Sequence, residues 1–172
     1  MTARQRADFD CAAVYAAMDG LRRARGLTWQ QAVEEISGTF ARAPRGIGSS
    51  TVIGMRTRAV AEGDGVLQML RWLDRTPESF VSGHHASSGE ALPAAASHQI
   101  LRFDTKTLHA ALAVRRAERG LTWTQVANEI GGVSAAMLTR LSNGGRTSFP
   151  HVVRIAAWLG RPVASFVRAV SR

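Results

Sequence analysis

The basic residues are the main candidates for a functional role in this sequence. The groups that catalysis would need, the carboxylates among them, are scattered along the chain. The sequence contains no recognisable Ser-His-Asp, zinc-ligand or phosphate-loop arrangement. His84, His85 and His98 fall in a polar segment, while His109 and His151 lie on predicted helices without a spaced Cys or Asp partner. We therefore expect histidines that are solvated or on helix surfaces, and no enzyme activity, metal, cofactor or small-molecule ligand.

The positive charge is concentrated in the second half of the chain. The formal net charge is +9. Residues 1–97 contain 11 basic and 10 acidic residues, whereas residues 98–172 contain 11 basic and 3 acidic residues. Positive charge on this scale attracts polyanions and speeds encounter with nucleic acid or an anionic membrane. The second half is therefore expected to carry the surface that meets such a partner.

Composition predicts a folded chain that works in the cytoplasm. Hydrophobic residues make up 45% and charged residues 20% of the sequence, as in globular proteins. The single cysteine, Cys11, cannot form an intramolecular disulfide, which fits a reducing cytosol. The N-terminal residues are polar and basic, and no window reaches the roughly 18 apolar residues of a membrane span. We expect neither secretion nor membrane insertion.

The chain contains an internal repeat. Residues 9–36 align without a gap to residues 103–130, and both copies contain the block Gly-Leu-Thr-Trp. After an insertion in the first copy, residues 46–81 align with residues 132–167. Similarity that holds its register this long indicates two copies of one structural unit.

The repeat predicts two domains and a connection between them. The residues between the copies are rich in Ser, Ala, Gly and His, a composition typical of flexible linkers. We predict a first domain at 9–81, a linker at 82–101 and a second domain at 102–170.

Each copy is predicted to be a series of helices. In the second copy, Asp104, Thr122 and Ser134 stand where a side-chain oxygen can cap a helix. Glycines end the first three helices, Pro150 opens a fourth, and residues 162–170 form a fifth. No stretch alternates at period two for long enough to indicate a sheet. The predicted fold class is therefore all-α, with two tandem five-helix bundles joined by a flexible linker.

The run over residues 120–144, GLTWTQVANEIGGVSAAMLTRLSNG, resembles the helix-turn-helix of the Cro and phage-repressor (XRE, lambda-repressor-like) family. The match covers about residues 108–167. The resemblance implies a compact five-helix fold and a recognition helix over 134–142 in the major groove of double-stranded DNA. An α-helix fits that groove, and its N-terminal residues reach base edges. The expected function is that of a sequence-specific transcriptional regulator on the nucleoid.

The resemblance also implies which residues read bases. Arg140 would bridge the two acceptors of a guanine, a pairing worth roughly 1–3 kcal/mol of discrimination. A solvated surface arginine is the alternative. Ala135, Ala136 and Met137 offer only apolar contact, so sequence preference is expected to lean on DNA shape as well. The predicted interface also includes Ser134 and Thr139.

Further residues stand where the family contacts phosphates. Such contacts give salt-sensitive affinity and register without identifying a base. These positions are Thr122, Gln125, Asn143 and Arg146. The alternatives are a helix cap, a helix-surface amide and ordinary loop residues.

Two departures from the family pattern bear on this interface. Trp29 and Trp123 stand where the family usually begins its second helix with Gln. An exposed Trp123 would lie on the DNA backbone, whereas a core role or packing against the linker are the alternatives. In the family, an arginine of the first helix also commonly pairs with a glutamate late in the recognition helix. The corresponding positions in the second copy are Arg116 and Ser142. Arg116 is therefore expected to be free for a phosphate or another partner.

The first copy departs further from the pattern. Residues 37–45 expand the turn before its recognition segment, and Gly54 stands in the place of Arg140. One interpretation is a second, altered DNA contact, so that the copies bind adjacent half-sites. Its residues would be Arg42, Arg45, Ser49, Ser50, Arg56 and Arg58. The other is a dimerisation or protein-contact module. A homodimer, and a whole chain that acts as a protein–protein adaptor, also stay open.

Overall fold

The computed structural model describes residues 7–38, 47–58, 61–82 and 89–171. Within these ranges the chain forms eight α-helices and four short strands, with 3₁₀ turns between some of them. The first repeat contains β1 (Asp8–Phe9), α1 (Cys11–Ala24), α2 (Trp29–Gly38), α3 (Ser49–Gly54), α4 (Gly63–Leu73) and β2 (Val81–Ser82). The second contains β3 (Gln99–Phe103), α5 (Thr105–Glu118), α6 (Trp123–Ile130), α7 (Ala135–Arg140), α8 (Phe149–Leu159) and β4 (Val167–Ser171). The two repeats therefore share one order of elements.

Short strands join the two ends of each repeat. β1 pairs antiparallel with β2, and β3 pairs antiparallel with β4 so that Phe103 lies opposite Val167. The predicted all-α class with two tandem five-helix bundles is therefore wrong. The helix predicted over 162–170 is a 3₁₀ turn, Val163–Phe166, followed by strand β4. Valines at both ends of this segment favour a half-buried strand, and β3 supplies its partner from the other end of the repeat.

The helix caps are confirmed at the predicted positions. Asp104, Thr122 and Ser134 each accept a hydrogen bond from the backbone N–H three residues further on. Such a bond satisfies one of the backbone donors that the start of a helix leaves unpaired. Asp10 does the same at the start of α1, so this device is common to both repeats.

The repeats meet across a local two-fold axis. Glu62 and Ser148, which occupy the same position in the aligned repeats, form an antiparallel bridge. Two equivalent backbone hydrogen bonds flank it: from Gly63 N to Thr147 O at 2.8 Å, and from Phe149 N to Ala61 O at 3.0 Å. Interchanging the repeats exchanges these two bonds. The contact is therefore symmetric in its backbone although the side chains differ.

Phenylalanine side chains extend this junction into the core. Phe9 packs on Phe149 with ring centroids 4.5 Å apart, and Phe103 lies 5.4 Å from Phe149. Gly63 is the counterpart of Phe149 in the alignment. Its missing side chain leaves the space that Phe103 fills, because a Cβ on Gly63 would lie 2.8 Å from that ring. One hydrophobic core therefore runs through both repeats.

Part of the predicted linker, 82–101, is structured. Arg71 on α4 donates a hydrogen bond from Nη2 to the Ala95 carbonyl at 2.7 Å, and Leu92 packs against the core. β3 begins at Gln99, inside the segment predicted to be a linker. In the described part of this segment, residues 89–101, these contacts differ from the flexible connection that was predicted.

None of the helices in the described ranges is both long enough and apolar enough to cross a lipid bilayer.

Candidate nucleic-acid interface

Helix α7 is fixed to the body of the second repeat by its buried side. Ser134 Oγ accepts a hydrogen bond from the Met137 N–H at 3.1 Å and begins the helix. Leu138 is fully buried, and Leu141 follows it into the core one turn later. Because residues three and four apart share one face of a helix, these leucines direct the opposite face outward.

The outward face of α7 carries Ala136, Thr139 and Arg140, all of which are exposed. The Thr139 hydroxyl donates to the Ala136 carbonyl at 3.0 Å, so it can only accept a hydrogen bond from a ligand. Ala135 and Met137, predicted as readers, are half-buried and pack against the core. The exposed face is therefore narrower than the predicted set, and Arg140 is its only cation.

Arg140 makes no hydrogen bond or ion pair with any described residue. Glu129 is the last carboxylate in the sequence, so residues 130–172 add positive charge alone. Most other arginines are engaged; Arg119, for example, donates two hydrogen bonds to Glu129. The guanidinium of Arg140 is therefore available to an anion or a hydrogen-bond acceptor outside the chain.

Two glycines set the turn between α6 and α7. Gly131 has φ 73° and Gly132 has φ 71°, a left-handed conformation that other residues adopt only with strain. The two glycines therefore allow a tight turn between α6 and α7.

Thr122 and Gln125 at the start of α6 form a reciprocal cap. The Gln125 N–H donates to Thr122 Oγ1 at 3.2 Å, while the Thr122 N–H donates to Gln125 Oε1 at 2.8 Å. The cap that sequence reasoning left as an alternative for Thr122 is thus present. The Nε2 group of Gln125 donates no bond within the described residues, so it can still meet a phosphate.

Trp123 is enclosed by its own repeat. Its ring stacks on His109 at 5.2 Å, and the Arg116 guanidinium lies 5.0 Å from its centroid. Arg116 also donates from Nη1 to the Leu121 carbonyl at 2.9 Å. The expectation that Arg116 is free was therefore wrong, and Trp123 is half-buried rather than spread on the surface.

The first repeat contains the same cluster. Trp29 stacks on Tyr15 at 5.3 Å and lies under Arg22 at 4.9 Å, and Arg22 donates to the Leu27 carbonyl at 2.6 Å. A cluster that occurs in both repeats serves the packing of α1 on α2 and of α5 on α6. The structural role of these arginines and tryptophans follows from their contacts in three dimensions and could not be read from the sequence.

The loop after α7 carries Asn143 and Arg146, and both are exposed. They line a depression of about 350 Å³ together with Met137, Arg140 and Thr147. The nearest carboxylate to Arg146 is Glu62 of the first repeat, at a long 4.0 Å. The Arg146 side chain is 73% exposed, so this pair leaves most of its positive charge facing outward.

In the first repeat, the predicted contact residues are divided between described and undescribed segments. Arg42 and Arg45 lie outside the described residues. Ser49 and Ser50 are exposed on α3, and Arg56 and Arg58 are exposed just after it. The described part of this set therefore lies on and beside α3.

The Arg58 side chain lies in van der Waals contact with the position of a Cβ on Gly54. Its Cζ and Nε lie 3.6 Å from the position of a Cβ on Gly54. Gly54 is the counterpart of Arg140, so a guanidinium stands beside the end of each candidate helix. The two repeats therefore present similar charge from different sequence positions.

Two residues of these surfaces were missed by the sequence reasoning. Ile53 on α3 is 41% exposed, although its size and apolarity favour burial. In the alignment of the repeats, Ile53 occupies the position of Thr139, a residue of the predicted interface on α7. That correspondence could have identified it. Lys106 is exposed beside the loop after α7, with Cε 3.1 Å from the position of a Cβ on Gly144.

Arg146 connects the surfaces of the two repeats. It lines the depression beside α7 and also a second depression, of about 330 Å³, beside α3. The second depression is formed by Thr51, Met55 and Arg58, among others. Helices α3 and α7 therefore flank one junction, on which Arg58 and Arg146 are exposed.

Several titratable groups have shifted pKa values. Backbone hydrogen bonding from Thr107, chiefly, lowers the pKa of Asp104, while burial raises the pKa of Asp64. Burial lowers the pKa of His151, assisted by Arg154. In the part of the chain that the structure describes, no three His, Cys, Asp or Glu side chains come together as metal ligands would.

Comparison of the chain with family models, with curated proteins and with solved structures finds no match.

Proposed function

We propose that this chain is a sequence-specific DNA-binding protein, a transcriptional regulator that inserts α7 into the major groove and uses α3 as a second contact. The observation that carries this proposal is the exposed face of α7, formed by Ala136, Thr139 and Arg140. That face is uncharged except for an unpaired arginine, and no acidic residue follows Glu129 in the sequence. DNA as ligand would give the protein a cytoplasmic, nucleoid-associated location.

The shape and chemistry of α7 fit a groove. The buried leucines hold the helix firmly, so its exposed face is presented with little loss of conformational entropy on binding. Arg140 is long enough and free to donate two hydrogen bonds to the N7 and O6 acceptors of a guanine. Ala136 is small enough to let the helix approach the bases, where it would meet a thymine methyl.

The surrounding cations suit the phosphate backbone. Arg146, Lys106 and Arg58 are exposed around the two helices, and Gln125 has a free amide donor. Phosphate contacts of this kind supply affinity that falls with salt, by a slope of about 0.9 in log K for each phosphate neutralised. We expect Arg146→Ala to reduce that slope by about one unit and to leave the selected sequence unchanged.

The proposal is tested by selection of bound duplexes from a random library, followed by salt titration. Wild type is expected to enrich one sequence, and Arg140→Ala is expected to lose preference at a single base pair. The loss corresponds to roughly 1–3 kcal/mol, or about 5- to 150-fold in affinity for the selected site.

The matched control for Arg140 is Arg161→Ala, which removes the same charge. Arg161 is exposed after α8, lies over the Phe166 ring and lines neither depression beside α3 and α7. It should preserve the selected sequence. If Arg140→Ala and Arg161→Ala select alike, Arg140 does not read a base. If no duplex binds, or a protein ligand binds with affinity independent of salt, the adaptor interpretation replaces this one.

A further inference from the structure

We propose that one copy of this chain reads a composite duplex site of two unlike half-sites, held at one fixed separation. The inference rests on the proposed function and adds the form of the DNA site. It follows from three features of the described residues: a rigid junction between the repeats, the placement of α3 and α7 beside it, and the different chemistry of their exposed faces.

The junction is too extensive for the repeats to move independently. Besides the backbone bridge and the phenylalanine contacts, several polar bonds cross it, of which three are short. These are Arg154 to Asp8 at 2.7 Å, Gln68 Nε2 to Leu101 O at 2.7 Å, and Val163 N to Glu78 Oε1 at 2.7 Å. The last two are buried, where loss of one partner leaves the other unsatisfied. The separation of α3 and α7 is therefore a property of the fold.

Both helices lie beside this junction, so we expect one duplex to contact both. Glu62, which follows α3 in the sequence, pairs with Ser148, which follows α7, and Arg146 lines the depression beside each helix. Arg58 stands on the first-repeat side of this junction. Arg58 and Arg146 are therefore placed to contact the phosphates of a duplex that received both helices.

The exposed faces differ at each equivalent position. Ala136 on α7 corresponds to Ser50 on α3, and Thr139 corresponds to Ile53. At the first of these positions, α3 carries a hydroxyl where α7 carries a methyl group. At the second, α3 carries an apolar side chain, which suits a thymine methyl, where α7 carries a hydroxyl. Arg140 has no counterpart on α3 itself. The helices are therefore expected to prefer different base pairs, and the whole site has no inverted repeat.

A single chain then does what two-fold oligomers do with two chains. The internal two-fold axis orients the half-sites, and the differences between the repeats give the complex a direction on the DNA. Complex formation should depend on the first power of the protein concentration.

The test uses the full chain and the duplex recovered from the random library. Sedimentation velocity measures the stoichiometry of the complex, and footprinting measures the length of DNA that the protein protects. Insertion of about five base pairs, half a helical turn, between the two protected segments should weaken binding about tenfold or more. Expected results are one chain per duplex, a sequence without two-fold symmetry, and this sensitivity to spacing.

Side-chain variants assign the half-sites. Arg140→Ala should relax selection in one segment only, and Ile53→Ala in the other only. Both residues are exposed, so neither variant should unfold the protein. Val114→Ala, which truncates a 59% exposed apolar residue on α5, is the control for Ile53 and should select like wild type.

The outcomes separate this inference from the proposed function. A footprint of one segment, indifference to the insertion, or two chains on a symmetric site would overturn the composite reading and leave DNA binding through α7 intact. Absence of any duplex binding would overturn both.

Discussion

Replacement of Gly63 by alanine tests whether the two repeats form a single folding unit. Gly63 is buried at the start of α4, between the Thr147 carbonyl and the Phe103 ring of the other repeat. A Cβ at this position would lie 2.7 Å from that carbonyl oxygen and 2.8 Å from two ring carbons. Both distances are well inside van der Waals contact. Either the ring must rotate away or the backbone bond from Gly63 N to Thr147 O must lengthen.

The size of the effect follows from two opposing terms. An extra methyl in a packed core costs about 1–3 kcal/mol. Alanine is favoured over glycine in a helix by about 0.5–1 kcal/mol, which offsets part of this cost. We expect Gly63→Ala to lower the free energy of unfolding by about 1–2 kcal/mol. In a chain of this length the corresponding fall in Tm is about 2–8 °C.

The measurement is urea unfolding followed by far-UV circular dichroism, with Gly65→Ala as the matched control. Gly65 lies two residues further along α4, and a Cβ there would meet only Glu62 Oε2, at 3.4 Å. Wild type and both variants should unfold in one transition, with only Gly63→Ala less stable than wild type. Two separate transitions in wild type, or equal stability of the two variants, would refute a shared junction.

Two further predictions concern the second repeat. Leu138→Ala, which empties a fully buried position under α7, should lower the free energy of unfolding by about 2–5 kcal/mol, whereas Thr139→Ala on the exposed face should change it by at most about 0.5 kcal/mol in the same urea assay. Asp104 has its pKa lowered in the folded state, so its contribution to stability is full above its ordinary value of 3.8 and is lost as pH falls through the folded pKa. Asp104→Asn keeps a capping side chain without a titrating group. The variant should therefore lose less stability than wild type between about pH 5 and pH 2, and parallel pH profiles would contradict the assignment.

Local signals in the sequence predicted the helices well and the strands poorly. Caps such as Asp104 and Ser134 act within one turn, so their residue types carry the information. The strand β4 has no such signal, because it is five residues long and its partner β3 lies at the other end of the repeat. Pairing over that distance is a tertiary effect, and a short Val-rich segment after Pro162 is compatible with either structure.

The arginine–tryptophan clusters show a second limit. The alignment showed that Arg116 lacks the glutamate that the family resemblance implies. It could not show that the Trp123 ring and the Leu121 carbonyl take over this role. A cation over an aromatic face is attracted by about 0.5–2 kcal/mol, which is enough to hold the guanidinium in place. The repeat of the cluster at Arg22 and Trp29 supports a structural function.

The junction between the repeats was also beyond sequence reasoning. Its central bonds join backbone atoms, which every residue possesses, so they have no compositional signature. The one trace in the sequence is the pairing of Gly63 with Phe149 in the alignment. A large side chain in one repeat and none in the other allow both to approach the same axis, where a second large side chain would collide with Phe103.

Each candidate helix has an exposed arginine at or beside its end, although the arginines come from different positions in the alignment. Aligned residue by residue, the first repeat has Gly54 where the second has Arg140, which taken alone argues against a DNA contact. In space, the side chain of Arg58 lies over Gly54, from a position that is Gly144 in the second repeat. The glycine at the end of α3 therefore stands beside an arginine from the following loop. A buried helix–protein contact would not need this cation, because an unpaired charge in an apolar interface is costly. A guanidinium beside each helix is what the proposed binding of a polyanion by both repeats requires.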